Sequence, residues 1–168
     1  IEGSKVVWTP PGQHTSRSVR GQGPVIDAVT VWFEPAGAAT PRVKYVAVVE
    51  AEGVSLHGDD GAVYAVPSPF QIARIFPIAT GFIVQREAPP DSVDQSPLLF
   101  TLLHPLGELA PLATEVLPGV EGGPGAAPTA RLSILGVVNL ADGSPVVAAV
   151  ETTSGALAVY HGVRTQPT

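Results

Sequence analysis

The sequence has no cysteine and no methionine, and it has few charged residues. Without cysteine it can form neither a disulfide nor a thiolate metal site, which suits a reducing compartment. Because Ile1 is not a methionine, we expect the chain to be a fragment of a longer protein. Charged residues make up 14% of the chain, against about 25% in an ordinary soluble domain. This scarcity indicates either a genome rich in Ala, Gly, Pro and Val codons or a surface that partners cover.

Long apolar runs and basic patches are also missing. A membrane helix needs about 20 apolar residues, and the most apolar piece, Leu132 to Ala141, ends at Asp142. The formal net charge is -6, and the nine basic residues are scattered, so no basic stripe is available for phosphates. The sequence therefore predicts no membrane span, no nucleic-acid partner and no cofactor.

Short apolar segments separated by turn residues make up most of the chain, which holds 18 glycines and 18 prolines. We predict strands over 6–8, 25–33, 43–50, 53–57, 62–66, 71–76, 81–86, 98–103, 132–140, 146–152 and 157–160. The strand over 25–33 is largely apolar on both faces, which is typical of the interior of a covered sheet. Residues 10–23 are predicted to be a polar loop, and residues 117–130 a Pro/Gly-rich flexible loop. Helical periodicity is not evident, so we predict an all-β sandwich, barrel or propeller.

A weak internal repeat links two apolar hairpins. The segment from Val46 to Gly58 resembles the segment from Val147 to Gly162, and each ends in a His-Gly pair. The copies lie about a hundred residues apart, too far for adjacent units of about 40 to 45 residues, but acceptable for propeller blades two or three units apart. Chance similarity between two Val-rich hairpins explains the pattern equally well.

The stretch from Asp59 to Leu112 carries several unlike motifs in one order: Pro-Phe at 69–70, Pro77, the strand 81–86, a polar loop, and LFTLLHPLGE at 99–108. In order and spacing it resembles the N-terminal region of the largest-subunit family of the anaphase-promoting complex. The flanks at 6–8, 25–33 and 146–164 match more loosely, and Gly107 stands where that family commonly has an acidic residue. The motif positions predicted to be structural are Pro69, Phe70, Pro77, Gly81, Arg86, Phe100, His104, Pro105, Leu106 and Glu108.

This resemblance implies a fold, a function and a set of partners. It implies that residues 1–168 form part of an N-terminal WD40-like β-propeller, about four blades of a parent domain of about seven. It implies a scaffold subunit of a multi-subunit E3 ubiquitin ligase that controls mitotic progression and exit. In such a complex, catalysis belongs to the cullin and RING subunits, and this piece would dock the cullin/RING module and TPR subunits in the nucleus and cytoplasm.

The sequence supports a metal site or a catalytic carboxylate pair less well than it supports this resemblance. His14, His57, His104 and His161 lie in different segments without metal-ligand spacing, and His104 is expected to make a structural hydrogen bond to the backbone. Glu50, Asp59 and Asp60 are close enough in sequence for a carboxylate pair, which keeps open a small-ligand or glycan-handling propeller, although turn chemistry explains Asp59-Asp60-Gly61 more simply.

Three further alternatives stay open. The aromatic residues Trp8, Trp32, Phe70, Phe76, Phe82 and Phe100 are either core or interface anchors, and core is the commoner role. Ser96 precedes Pro97 in a polar loop, where a proline-directed phosphate would add negative charge. A β-sandwich adhesion module is a third possible architecture and function. No catalytic motif is present, so we predict that the chain is not an enzyme.

Overall fold

The computed structural model describes residues 4–34, 41–87, 99–112, 114–116, 132–141, 145–151 and 157–162. Within these ranges the chain forms strands only, and no helix there could cross a membrane. The strands are β1 (Lys5–Trp8), β2 (Arg17–Arg20), β3 (Val25–Phe33), β4 (Val43–Glu50), β5 (Gly53–Gly58), β6 (Val63–Pro67), β7 (Ile72–Pro77), β8 (Phe82–Arg86), β9 (Leu99–Leu102), β10 (Ala110–Pro111), β11 (Thr114–Val116), β12 (Leu132–Asn139), β13 (Pro145–Glu151) and β14 (Leu157–Gly162). The predicted all-β class is therefore confirmed.

Four antiparallel sheets contain these strands. The first sheet is the hairpin β1-β2, the second has the order β3-β4-β5-β6, and the third has the order β10-β9-β8-β7. The fourth has the order β11-β14-β13-β12, so its outermost strand precedes the other three in sequence. The two copies of the internal repeat are β4-β5 and β13-β14, which are the middle strands of the second and fourth sheets.

Two sequence predictions about the first strands were wrong. Residues 10–23 are not all loop, because β2 pairs with β1 from Lys5↔Arg20 to Trp8↔Arg17. Its sequence, Arg-Ser-Val-Arg, has one apolar residue and so no strand-like pattern.

The predicted loop at 117–130 and Ser96 lie outside the described residues.

The strand β3 lies at an edge of its sheet and not in the interior. One face is buried, with Val31 fully inaccessible, but Trp32 on the other face is 42% exposed. A bulge between Val25 and Asp27 shifts the register against β4, and the Asp27 carboxylate accepts the Ala28 N–H at 2.8 Å. The apolar residues on both faces of β3 therefore do not indicate an interior strand. They belong to a bulged edge strand whose second face is only partly covered by a neighbouring sheet.

The sheets stack in chain order, with a separate apolar core in each gap. Val6 packs against Val46 and Val48 between the first and second sheets. Phe33 and Leu56 of the second sheet pack with Phe82 of the third. On the opposite side of the third sheet, Ile83 and Leu99 pack with Val147 of the fourth. The middle strands of the second and third sheets are therefore buried on both faces.

Burial on both faces is most complete in the middle strands β4 and β8. Every residue from Tyr45 to Val49 in β4 is buried, as is every residue from Phe82 to Val84 in β8. Successive side chains of a strand point to opposite faces. Both segments are continuous apolar runs for this reason, and they would expose half their side chains in a two-layer sandwich.

The turn from Ile78 to Gly81 joins the sheets at one end. The Gly81 N–H donates to the Trp32 carbonyl of β3 at 2.6 Å, and the Ala79 N–H donates to Asn139 Oδ1 of β12 at 3.1 Å. Gly81 has φ +84°, and a Cβ at this position would overlap the Leu102 carbonyl oxygen. The third sheet is therefore fastened to both neighbours through one turn that needs a glycine.

Replacing Gly81 by alanine should destabilise the protein strongly. The left-handed backbone alone costs about 1–2 kcal/mol, and the overlap with the Leu102 carbonyl should bring the total to about 3 kcal/mol or more. Gly61→Ala is the matched control, because Gly61 has φ +92° but nothing lies within 4 Å of its added Cβ. Chemical denaturation of both variants measures the difference, and equal losses would contradict this role of the turn.

Candidate functional site

Several motif residues lie at one end of the stacked sheets, which we call the Gly81 end. It comprises the Ile78–Gly81 turn, the His104–Gly107 turn and the ends of β3 and β12 at Trp32 and Asn139–Leu140. Three large apolar side chains there are exposed to solvent: Trp32 by 42%, Leu106 by 74% and Leu140 by 42%. The surface thus offers apolar contacts on a rigid, hydrogen-bonded frame, as protein interfaces do.

The His104–Gly107 turn is closed by two hydrogen bonds. The Gly107 N–H donates to the His104 carbonyl at 2.9 Å, and the Leu106 N–H donates to His104 Nδ1 at 3.1 Å. The imidazole makes the kind of backbone hydrogen bond that the sequence led us to expect. Pro105 fits the second position of such a turn, and the turn presents Leu106 to solvent. Glu108, which follows the turn, is also exposed.

At Gly107 the chain differs from the resembling family, which commonly has an acidic residue there. The structure has room for such a residue. Its φ lies outside the left-handed region, and a Cβ built on it would lie 3.1 Å from the His104 carbonyl. An acidic residue would thus fit after a shift of a few tenths of an ångström. The glycine is therefore not required by the backbone at this turn.

The remaining motif residues lie elsewhere and form a second group. Phe70, in the β6–β7 connection, stacks on Phe100 of β9 with ring centroids 4.2 Å apart. The Phe70 N–H is bound by Ser68 Oγ at 3.3 Å, and the hydroxyl donates to the Phe70 carbonyl at 2.6 Å. Pro69 is exposed beside this ring, whereas Arg86 ends β8 opposite Ile72. The motif positions thus divide between the two ends of the third sheet.

Pro77 ends β7 and pairs with Phe82 across the β7–β8 hairpin. It directly precedes the Ile78–Gly81 turn and so belongs to the Gly81 end. A proline at the last position of a strand ends the ladder without leaving a buried N–H unpaired. Pro77 and Gly81 therefore frame the turn that links three sheets.

The candidate carboxylates do not form a site. Glu50 ends β4, where its Oε1 accepts the Gly23 N–H at 2.8 Å, whereas Asp59 and Asp60 follow the opposite end of β5. Asp60 Oδ1 accepts the Ala62 N–H at 2.9 Å, which is turn chemistry. Asp59 Oδ2 lies 3.2 Å from Lys44 Nζ. These contacts give no support to a glycosidase-like pair.

The described histidines are also apart. His57 is buried beneath the Trp8 ring, with ring centroids 5.8 Å apart, and its Nε2 lies 2.9 Å from Ser55 Oγ. Burial lowers the pKa of His57 from its ordinary 6.5. His14 is exposed, and the described residues contain no group of three potential metal ligands. The side chain of His161 lies outside the described part of the chain.

No sequence pattern indicates the contacts that hold the Gly81 end together. Asn139 was not singled out, since a polar residue at the end of a strand usually faces solvent. The Trp32 carbonyl was missed as well, because its bond to Gly81 depends on how two sheets meet. Of the aromatic residues, Phe82 is core and Trp32 is the one that stands exposed at this end.

Comparison with curated proteins finds two relatives, both named anaphase-promoting complex subunit 1. The human protein is 26% identical over 129 residues, covering 67% of this chain and 7% of the human protein. The mouse protein is 33% identical over 76 residues, covering 41% of this chain and 4% of the mouse protein. No family model matches the chain. The resemblance predicted from the motifs is confirmed, and the chain spans a small part of the relatives' length.

Stability should fall as the pH is lowered below 6.5, in part through His57. Because burial lowers the pKa of His57, the unfolded state binds the proton more readily, so the stabilisation is complete above pH 6.5 and is lost as the pH falls toward the folded pKa. His57→Gln should flatten this part of the profile. The same substitution at exposed His14 is the control. Urea unfolding across this range measures the effect, and identical profiles for His57→Gln and the unchanged protein would contradict it.

Proposed function

We propose that this chain is part of a non-catalytic scaffold subunit of the anaphase-promoting complex and provides docking surface for other subunits. The observation that carries the proposal is the similarity to subunit 1 in two species, which reaches across 67% of the chain in the human protein. The similar proteins are named as subunits of that complex. Participation in the ubiquitin pathway of cell-cycle control follows for this chain if it has the same role.

We further propose that the four sheets are consecutive blades of a WD40-like propeller. Three observations support this. The sheets stack face to face in chain order, most neighbouring strands follow one another in sequence, and the approaches among the second, third and fourth sheets centre on β7, which lies near β3, β4 and β12. The Cα atoms of β3 and β7 come within 8 Å of each other, and so do those of β7 and β12. Blades converge in this way on inner strands around an axis, and at about 40 to 45 residues per blade the chain supplies about four.

The Gly81 end is the docking surface that we propose for another subunit. Interfaces of this kind need rigid apolar anchors surrounded by polar contacts. Trp32 near the end of β3, Leu106 in the hydrogen-bonded His104–Gly107 turn and Leu140 just after β12 stand exposed there. The low proportion of charged residues, 14%, agrees with a surface that partners cover. The cullin/RING module and the TPR subunits are the partners proposed, and the nucleus and cytoplasm are the proposed locations.

Leu106→Glu should reduce recovery of the other complex subunits with the tagged full-length protein. A charge in the middle of an apolar contact costs desolvation that the partner does not repay, whereas the fold should change by less than about 0.5 kcal/mol because the side chain is exposed. Leu135→Glu is the matched control, since Leu135 is 62% exposed and lies within β12, away from the Gly81 end. Quantitative mass spectrometry of the purified assemblies gives the readout.

Two results would contradict the proposal. If no cullin, RING or TPR subunit is recovered with the unchanged protein, the chain does not act in this complex. If Leu106→Glu and Leu135→Glu recover the same subunits in the same amounts, the Gly81 end is not the docking surface, although the scaffold function would stand.

A further inference from the structure

The second sheet has an open edge along β6, its outermost strand. The described chain continues on both sides of β6, through the turn at 59–61 before it and the connection to β7 after it, so this edge belongs to the interior of the sequence. β6 has five residues. The outermost strand of the third sheet, β10, has only two residues, and one of them is a proline, which protects a sheet edge.

Two hydrogen bonds, one at each end of the β5–β6 pair, fix its hydrogen-bonding pattern. The Gly58 N–H donates to the Ala62 carbonyl at 2.8 Å, and the Ser68 N–H donates to the Glu52 carbonyl at 2.9 Å. Both pairs continue the register of β5 and β6. Because hydrogen-bonded and non-hydrogen-bonded pairs alternate along an antiparallel ladder, every second residue of β6 turns its backbone groups away from β5.

Val63 and Ala65 are two of these residues, in the pairs with His57 and Ser55. Their backbone groups make no hydrogen bond within the described part of the chain. Pro67 follows in the same pattern and presents a carbonyl without an N–H. The side chains beside this edge are apolar and exposed, Val63 by 60%. The edge therefore offers two N–H groups and three carbonyls that can receive another strand.

The beginning of β6 has neighbours of both charges. Asp59 Oδ2 lies 3.2 Å from Lys44 Nζ, and Asp60 is exposed next to it. Arg17 Nη1 donates at 3.1 Å to the carbonyl of the residue that precedes Asp59. Two acidic and two basic side chains thus offset one another here, and this end does not select the charge of a partner.

The end of β6 has acidic neighbours. A cavity of about 600 Å³ lies beside Pro67, and of the described residues that line it Glu50 and Glu52 are acidic and none is basic. Neither carboxylate makes an ion pair within the described part of the chain. Arg20 precedes the lining residues in sequence, but it is exposed on the outward face of β2. The negative charge at this end favours a basic partner.

A strand added to β6 would pass close to these carboxylates. Ser68 lies directly opposite Glu52, and neighbouring strands are about 4.8 Å apart, so a residue beyond Ser68 on an added strand would lie about 10 Å from the Glu52 backbone. A lysine or arginine side chain and the Glu52 side chain can span that distance between them. Residues beside Val63 and Ala65 would meet apolar side chains instead.

A second copy of this chain does not fit the edge well. The chain has a net charge of -6, and residues 45–73 contain no lysine or arginine. Pairing of β6 with β6 of another copy would bring like charges together, which is unfavourable across strands. The charge of the edge therefore points to another protein.

We propose that β6 binds an extended basic segment of a partner protein, which adds to the second sheet as a fifth strand. Backbone hydrogen bonds to Val63 and Ala65 give affinity, as in other strand-addition complexes. Apolar residues of the segment lie beside these two residues, and a basic residue at its end lies beside Glu52. The inference rests on the proposed docking function and assigns it a second surface, separate from the Gly81 end.

The test uses the purified full-length protein and a fluorescent peptide of alternating lysine and valine, with an alternating glutamate and valine peptide as its control. Fluorescence anisotropy should show binding of the basic peptide only. Ala65→Pro removes an outward N–H without breaking a bond to β5 and should weaken binding about tenfold or more. Ala65→Ser keeps the N–H and should bind as the unchanged protein does. Circular dichroism checks that each variant is folded.

Glu52→Lys is the second variant, which decides the question if Ala65→Pro does not fold. The Glu52 side chain is exposed, and reversal of its charge should weaken binding of the basic peptide about fivefold. Glu108→Lys makes the same change of charge at an exposed residue next to the His104–Gly107 turn and should leave binding unchanged.

Four results would overturn the proposal: equal binding of both peptides, no binding at all, binding unaffected by Ala65→Pro, or equal weakening by Glu52→Lys and Glu108→Lys. Concentration-dependent dimerisation that Ala65→Pro abolishes would also overturn it, because the edge would then pair with a second copy. Subunit recovery with Leu106→Glu is read separately, so failure here is distinguishable from failure of the scaffold function.

Discussion

Burial of both faces of the middle strands in the second and third sheets is the constraint on which the rest of the structure depends. The continuous apolar runs in β4 and β8 leave no polar face for water, so each of these sheets needs a neighbour on either side. The first sheet covers Val46 and Val48, and the fourth covers Ile83. A stack in chain order is the simplest arrangement that satisfies both, and it brings the turn at Gly81 between β3, β9 and β12.

The same constraint explains which features the sequence could predict. Apolar segments bounded by Gly and Pro predicted β3, β4, β5, β12 and β13 close to the bounds observed, because such patterns favour strands whether or not both faces are covered. The Asp59-Asp60-Gly61 turn was also predictable, since Asp60 bonds locally to Ala62. The strands β2 and β10 were not predicted, because three of four residues in β2 are polar and β10 has only two residues, Ala110 and Pro111. Each forms by pairing with the strand just before it, β1 or β9, and the residues of β2 and β10 do not reveal that pairing.

Contacts between sheets could not be predicted from the sequence, because they join residues that lie far apart in the chain. Apolarity on both faces of β3 predicted an interior position, but a bulge and partial cover by the first sheet let an edge strand carry that pattern. The motif residues were found as a series in sequence, yet they divide between two ends of the third sheet. Phe70 with Phe100 supports packing at one end, and Gly81 with the His104 turn shapes an exposed apolar surface at the other. A scaffold that binds partners at separate places needs such rigid, separated surfaces.

The most direct test of this account is an experimental structure of the full-length protein by electron cryomicroscopy. The account predicts that β3, β7 and β12 lie side by side around one axis, with the sheets spreading outward from it as blades and with the Gly81 turn at one rim. If the sheets instead form a two-layer sandwich, or if these three strands diverge from one another, the propeller arrangement and the docking surface built on it are wrong.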